Sequence, residues 1–131
     1  MLPVPEPGDL EKCQSMDFDL EKGECLKLQK ELEEVQLQLK KIDEAASEDI
    51  REPFKTQMEE FCGNASDKIE KLSYQVRKTQ NNFFDCLNYF KYMPKKGKIE
   101  ETKPTDFFES WYQFSEDLKN LWKLEQVKWF V

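Results

Sequence analysis

Four cysteines, Cys13, Cys25, Cys62 and Cys86, are the side chains best suited to nucleophilic or metal chemistry, and their spacings are 12, 37 and 24 residues. No Cys-x-x-Cys pair occurs, and the 131-residue chain has no histidine. A zinc site of the usual kind needs closely spaced thiolates or imidazoles, and a cysteine nucleophile needs an activating base. Neither is present, so the reading is not an enzyme, with no metal and no cofactor. Cys25, Cys62 and Cys86 fall inside helical patterns and are expected to be reduced thiols. No Gly-rich phosphate loop or Gly-x-Ser-x-Gly elbow is found, and the carboxylates fall on helix faces that read as solvated. Asn64-Ala65-Ser66 matches a glycosylation sequon. Ala65 lies on an apolar stripe and no secretion signal precedes it, so the match is read as accidental. The remaining charged group of note is Lys91, Lys95, Lys96, Lys98 and Lys103, one basic patch on a chain of net charge −7. It reads either as cations favourably placed near a helix C-terminus or as a contact for an acidic surface.

These residues have to be positioned by helices. Ile50, Phe54, Met58, Phe61, Ala65, Ile69, Leu72, Val76, Phe83, Leu87 and Phe90 recur at steps of three and four, with one step of seven. That periodicity predicts one amphipathic helix of about forty residues, ~60 Å long, and hence an elongated chain. Upstream, residues 9–43 read as the first helical region, within which Cys25, Leu28, Leu32, Val35, Leu39 and Ile42 are spaced 3, 4, 3, 4, 3. This is an a/d seam, expected to pack on the long helix, with pairing between chains as the alternative. Gly23 weakens this helical region, and Asp9–Lys22 is expected to be separate or frayed. Residues 43–49 form a short connection, and Ser47 or Asp49 would cap the long helix.

The first residues, Met-Leu-Pro-Val-Pro-Glu-Pro-Gly, hold three of the six prolines. Residues 1–14 are assigned as an extended segment. The long helix should stop near Tyr92, ahead of Pro94 and the Lys95-Lys96-Gly97-Lys98 turn. A third, short helix should open at Pro104–Thr105, with Thr105 as one candidate cap. Phe107, Trp111, Phe114, Leu118 and Leu121 form its stripe, flanked by Phe108, Ser115 and Trp122. Its apolar surface is wider than one core contact needs, which points to a second contact. Lys123–Val131 is left unclassified. The fold class is therefore all-α, an elongated antiparallel helical bundle. An aromatic content of 13% supports a buried core, and the acidic balance argues against nucleic acid. No run is long and apolar enough to span a membrane.

Three stretches, taken together, resemble the formin homology 2 family. They are Phe54-Lys-Thr-Gln-Met-Glu-Glu-Phe61, Phe83-Phe-Asp-Cys-Leu-Asn-Tyr-Phe90, and Pro104-Thr-Asp-Phe-Phe-Glu-Ser-Trp-Tyr-Gln-Phe-Ser-Glu-Asp-Leu-Lys119 with Trp122-Lys123. The Leu2-Pro-Val-Pro-Glu-Pro7 opening, the Met93-Pro-Lys-Lys-Gly97 turn and the Trp111/Phe114 spacing are most similar to its Spire-interacting, Cappuccino-like branch. The resemblance implies an actin assembly factor that nucleates filaments, holds barbed ends and works in the cytoplasm on the cytoskeleton. It also implies a head-to-tail dimer in which the N-terminal lasso of one subunit wraps the C-terminal post of the other.

Residues 15–131 resemble only the coiled-coil region and part of the post. The lasso, the knob and the Gly-Asn-Tyr/Phe-Met-Asn motif have no counterpart, so a fragment unable to nucleate alone is expected. By the same resemblance Tyr89, Phe90, Phe107, Phe108, Trp111 and Phe114 would be the post face that another formin subunit's lasso covers. Lys95, Lys96 and Lys98 would meet an acidic partner. Two departures stand out: Lys91 replaces a common Gly after Tyr-Phe, and Lys103 replaces the capping Thr before Pro. The latter would cost ~1 kcal/mol unless Thr102 or Thr105 substitutes. The alternative function is a structural coiled-coil interaction protein with no actin role.

Overall fold

The computed structural model describes residues 3–45 and 48–130, with backbone alone at 48–51 and 130. Four α-helices follow in order: α1 Pro7–Gln14, α2 Phe18–Ala45, α3 Glu48–Tyr89 and α4 Pro104–Phe130, with a 3-10 turn at Ile99–Glu101. No strand occurs among the described residues, so the architecture is all-α. The expected Ser47 and Asp49 caps, and the positions of Leu2, Ile50 and Val131 in the patterns above, lie outside what is described. The chain divides into two units, Phe18–Gln80 and Met1–Asp17 with Asn81–Val131.

In the first of these, α2 and α3 run antiparallel. Leu39, Ile42 and Asp43 lie beside Phe54, Met58 and Cys62, and Cys25 lies beside Ser73 and Val76. Lys55 Nζ stands 3.9 Å from Asp43 Oδ2. The inward rows follow strict sevens. On α2 they are Phe18, Cys25, Leu32 and Leu39; on α3 they are Cys62, Ile69 and Val76. A repeat of 3.5 keeps one line of side chains facing a partner, while a 3.6-residue helix drifts.

This corrects the sequence patterns by a fraction of a turn. Of the α2 seam only alternate residues face inward, and Leu28, Val35 and Ile42 are exposed. On α3 the small thiol of Cys62 is buried at 6% exposure, while the neighbouring Phe61 stands at 55%. Pro53 sits in the second turn of α3, where it removes one backbone bond near the helix start without ending the helix.

The second unit is built on α1, the end of α3 and α4. The expected extended segment is corrected here, because Pro7–Gln14 is helical. Pro7 occupies the first turn, where its missing N–H has no intrahelical partner to lose, and Asp9 and Lys12 suit the two helix ends. α1 crosses α4 antiparallel: Lys119 Nζ donates to Glu6 Oε2 at 3.2 Å, and Thr105 Oγ1 donates to the Gln14 carbonyl at 2.7 Å. Leu10, Leu87 and Phe107 are buried, and Ser115 is fully enclosed. A small residue at that point of α4 lets the proline-bearing start of α1 approach, since Pro7 and Ser115 border one cleft.

Candidate functional site

The site is assembled from the end of α3 and the start of α4. Helix α3 closes with a Schellman arrangement: the Tyr92 N–H donates to the Leu87 carbonyl at 2.9 Å, and the Lys91 N–H to the Asn88 carbonyl at 3.1 Å. That closure places Lys91 in the left-handed region, at φ 52. Glycine takes this conformation freely, whereas a side chain costs about 1–2 kcal/mol. The lysine at this position does not alter the helix ending; it strains it.

Gly97, at φ 79, turns the following loop, and an added Cβ there would strike the Glu101 carboxylate. The Lys98 N–H reaches that carboxylate at 3.4 Å. Pro104 then opens α4. The Thr105 cap is corrected: Lys103 holds the cap position, its N–H donates to Asp106 Oδ2 at 3.1 Å, and Thr105 turns to α1 instead. The Thr102 hydroxyl is buried and makes no hydrogen bond. Asp106, three residues past the cap, thus makes the reciprocal half of a capping box, and its own N–H donates to the Lys103 carbonyl at 3.0 Å.

These two ends bring the aromatic side chains together. Phe107 is the hub, with ring centroids 6.3 Å from Phe83, 6.0 Å from Phe90, 5.6 Å from Tyr92 and 5.2 Å from Phe108. Phe108 turns inward onto Phe83 at 5.8 Å. Phe90 meets Trp111 edge-on at 5.2 Å, Trp111 meets Phe114 at 5.9 Å, and Tyr89 meets Phe90 at 4.9 Å. Edge-to-face pairs at these separations are favourable by ~1 kcal/mol each beyond area burial.

The six aromatic residues therefore have two roles. Phe107 belongs to the packed interior, and Phe108 is half-buried against Phe83. Tyr89, Phe90, Trp111 and Phe114 form a continuous row at the surface, with Tyr89 at 80% exposure and Phe90 and Phe114 near half.

Lys95, Lys96 and Lys98 lie exposed on the loop after α3, beside the exposed Met93. None of the ion pairs seen among the described residues involves them. No group of three or more potential metal ligands occurs among the described residues. Cys86 is held above the ordinary thiol value of 9.0 by burial, with the neighbouring Cys13 adding to the shift. All four cysteines are free thiols.

The expectation of a short C-terminal helix is corrected as well. α4 spans 27 residues and takes in the unclassified tail as far as Phe130. Its last turns expose Leu121, Leu124, Val127 and Trp129. Nothing in the tail breaks a helix, and Lys123-Leu-Glu-Gln-Val-Lys128 is composed mostly of good helix formers. That composition was the available signal. No described helix is long and apolar enough to cross a membrane.

The helix ends of an all-helical unit thus converge on a surface aromatic row. The sequence of the chain matches the model of the Formin Homology 2 Domain over residues 4–119. It is 32% identical over 126 residues to Protein cappuccino of Drosophila melanogaster, covering 95% of this chain and 12% of that protein. It is 33% identical over 125 residues to Formin-2 of Homo sapiens, with 95% and 7% covered, and 33% identical to Formin of Gallus gallus, with 95% and 10% covered. No solved structure gives a significant match. The chain belongs to the formin homology 2 family. It spans about a tenth of the length of these relatives.

Proposed function

We propose that this chain supplies the coiled-coil and post portion of a formin-type regulator of the actin cytoskeleton, acting by binding rather than by catalysis. The observation that carries the reading is the surface row Tyr89, Phe90, Trp111 and Phe114, backed by the buried Phe107. Exposed aromatics supported from behind by a packed core are the usual anchors of a protein interface. The row's occupant in this reading is the N-terminal lasso of another formin subunit. The Lys95, Lys96 and Lys98 loop lies on the same unit and is the contact for an acidic partner surface, of which actin is the expected one. The setting is the cytoplasm, on the cytoskeleton.

Co-purification with a full-length formin domain tests the reading. The chain should be retained, and Trp111→Ala with Phe114→Ala should reduce retention at least tenfold while leaving the circular dichroism unchanged. Retention that ignores both substitutions would remove the post from this role.

A further inference from the structure

We propose that the α2/α3 unit carries a second interface, an open apolar face that packs on the same face of a second copy of this chain to make a four-helix bundle. The proposal is independent of the post reading, since it involves none of the aromatic row.

The inner rows Cys25/Leu32/Leu39 and Cys62/Ile69/Val76 join α2 to α3. Beside them lie two further apolar rows. On α2 these are Leu28, Val35 and Ile42, each three residues after an inner position. On α3 the line four residues before Cys62, Ile69 and Val76 is Met58, Ala65 and Leu72, with the exposed Phe54 and Phe61 one step further round in the same sense. Steps of +3 and −4 turn through the same angle, about 50° in one sense. Equal turns on two antiparallel helices that face each other point to one side of the pair. Both rows therefore open onto the same face. At one end of it Leu39, Ile42, Phe54, Met58 and Cys62 line a groove of about 720 Å³.

The occupant follows from register and charge. Neighbouring levels of the antiparallel pair have residue numbers that sum to about 101, as with Cys25 beside Val76 and Leu39 beside Cys62. A two-fold axis parallel to the helices keeps each level and lays α2 over α3 of the second copy. Leu28 then meets Leu72 of the second copy, and Ile42 meets Phe61. The outer flank of α2 at these levels carries Glu24 and Glu31, and the outer flank of α3 carries Lys78 and Lys71. Glu24 falls level with Lys78 and Glu31 with Lys71, so the face is complementary to itself in charge as well as in shape. The rows extend ~21 Å on α2 and ~27 Å on α3. A face of that size suits a reversible dimer rather than an obligate one.

Sedimentation of the full chain across a concentration series tests the proposal. A dimer should form at tens of micromolar, and Val35→Glu or Phe61→Glu should return it to monomer with helicity unchanged. Trp111→Ala should leave the dimer intact. Two further variants at exposed positions, Glu24→Lys with Glu31→Lys and Lys71→Glu with Lys78→Glu, should each weaken self-association at least tenfold. Mixing the two should restore association as a heterodimer. A chain that stays monomeric throughout would overturn the proposal and leave the face to some other helix. So would a dimer indifferent to Val35→Glu and Phe61→Glu, or a charge-reversed mixture that fails to pair.

Discussion

Two residues show what single side chains cost or contribute in this fold. Lys91 occupies a left-handed position that completes the end of α3. Lys91→Gly keeps both closing hydrogen bonds and removes the Cβ penalty, offset in part by glycine's greater freedom in the unfolded chain. Stability should rise by about 1 kcal/mol, read from denaturant midpoints at unchanged slope. Cys86 is the other case. Its thiol is pushed up chiefly by burial. A raised acid holds its proton more tightly in the folded state than in the unfolded one. Its contribution is fully present below 9.0 and is lost as pH rises from there through the raised value. Cys86→Ala should flatten the alkaline decline in stability relative to the parent chain, measured between pH 8 and 10.5. A parallel decline in both proteins would remove Cys86 as the cause.

At the scale of elements, the decisive choice is which line of each long helix faces inward. Both α2 and α3 offer wide apolar stripes, and amphipathicity alone leaves the line uncertain by about a third of a turn. Packing of an antiparallel pair selects positions seven residues apart, which is why Cys62 is taken in and the larger Phe61 left out. The assignment is testable at residues outside both proposed interfaces. Ile69 lies on the inner row and Tyr74 on an outer face at 57% exposure. Ile69→Asp places a charge against the partner helix and should cost about 3 kcal/mol or more. Tyr74→Asp should stay within about 0.5 kcal/mol. Urea denaturation of the two variants distinguishes this register from one shifted by a residue. In the second unit, Leu87 is fully enclosed. Leu87→Ala should therefore cost roughly 2–5 kcal/mol, because little can collapse into the space left.

For the molecule as a whole, the proposed post and coiled-coil role sets how this polypeptide should behave with actin. In a pyrene-actin assay this polypeptide alone should leave the lag phase of assembly unchanged, whereas added to a full-length formin domain it should compete for the lasso and slow nucleation. Acceleration of assembly by the chain alone would contradict that reading. Much of this was legible beforehand. The helices α2, α3 and α4, the antiparallel packing of α2 on α3, the proline-marked start of α4 and the family itself follow from periodicity, punctuation and motif, because each depends on neighbours three to seven residues away. Pro7–Gln14 was legible only in part: residues 9–43 read as helical, but the prolines argue locally for extended chain up to residue 14. Its helical state comes with packing against α4 through the Glu6–Lys119 and Gln14–Thr105 contacts, more than ninety residues distant. The division of the aromatics into interior and surface was equally hidden. Phe107 and Phe90 are the same residue type on equally periodic stripes, and only the convergence of two helix ends decides which ring loses its water. Sequence by itself determined that α2, α3 and the start of α4 are helices and which family they belong to. Tertiary structure decided which face of each helix is buried, because that depends on a neighbouring surface rather than on local periodicity.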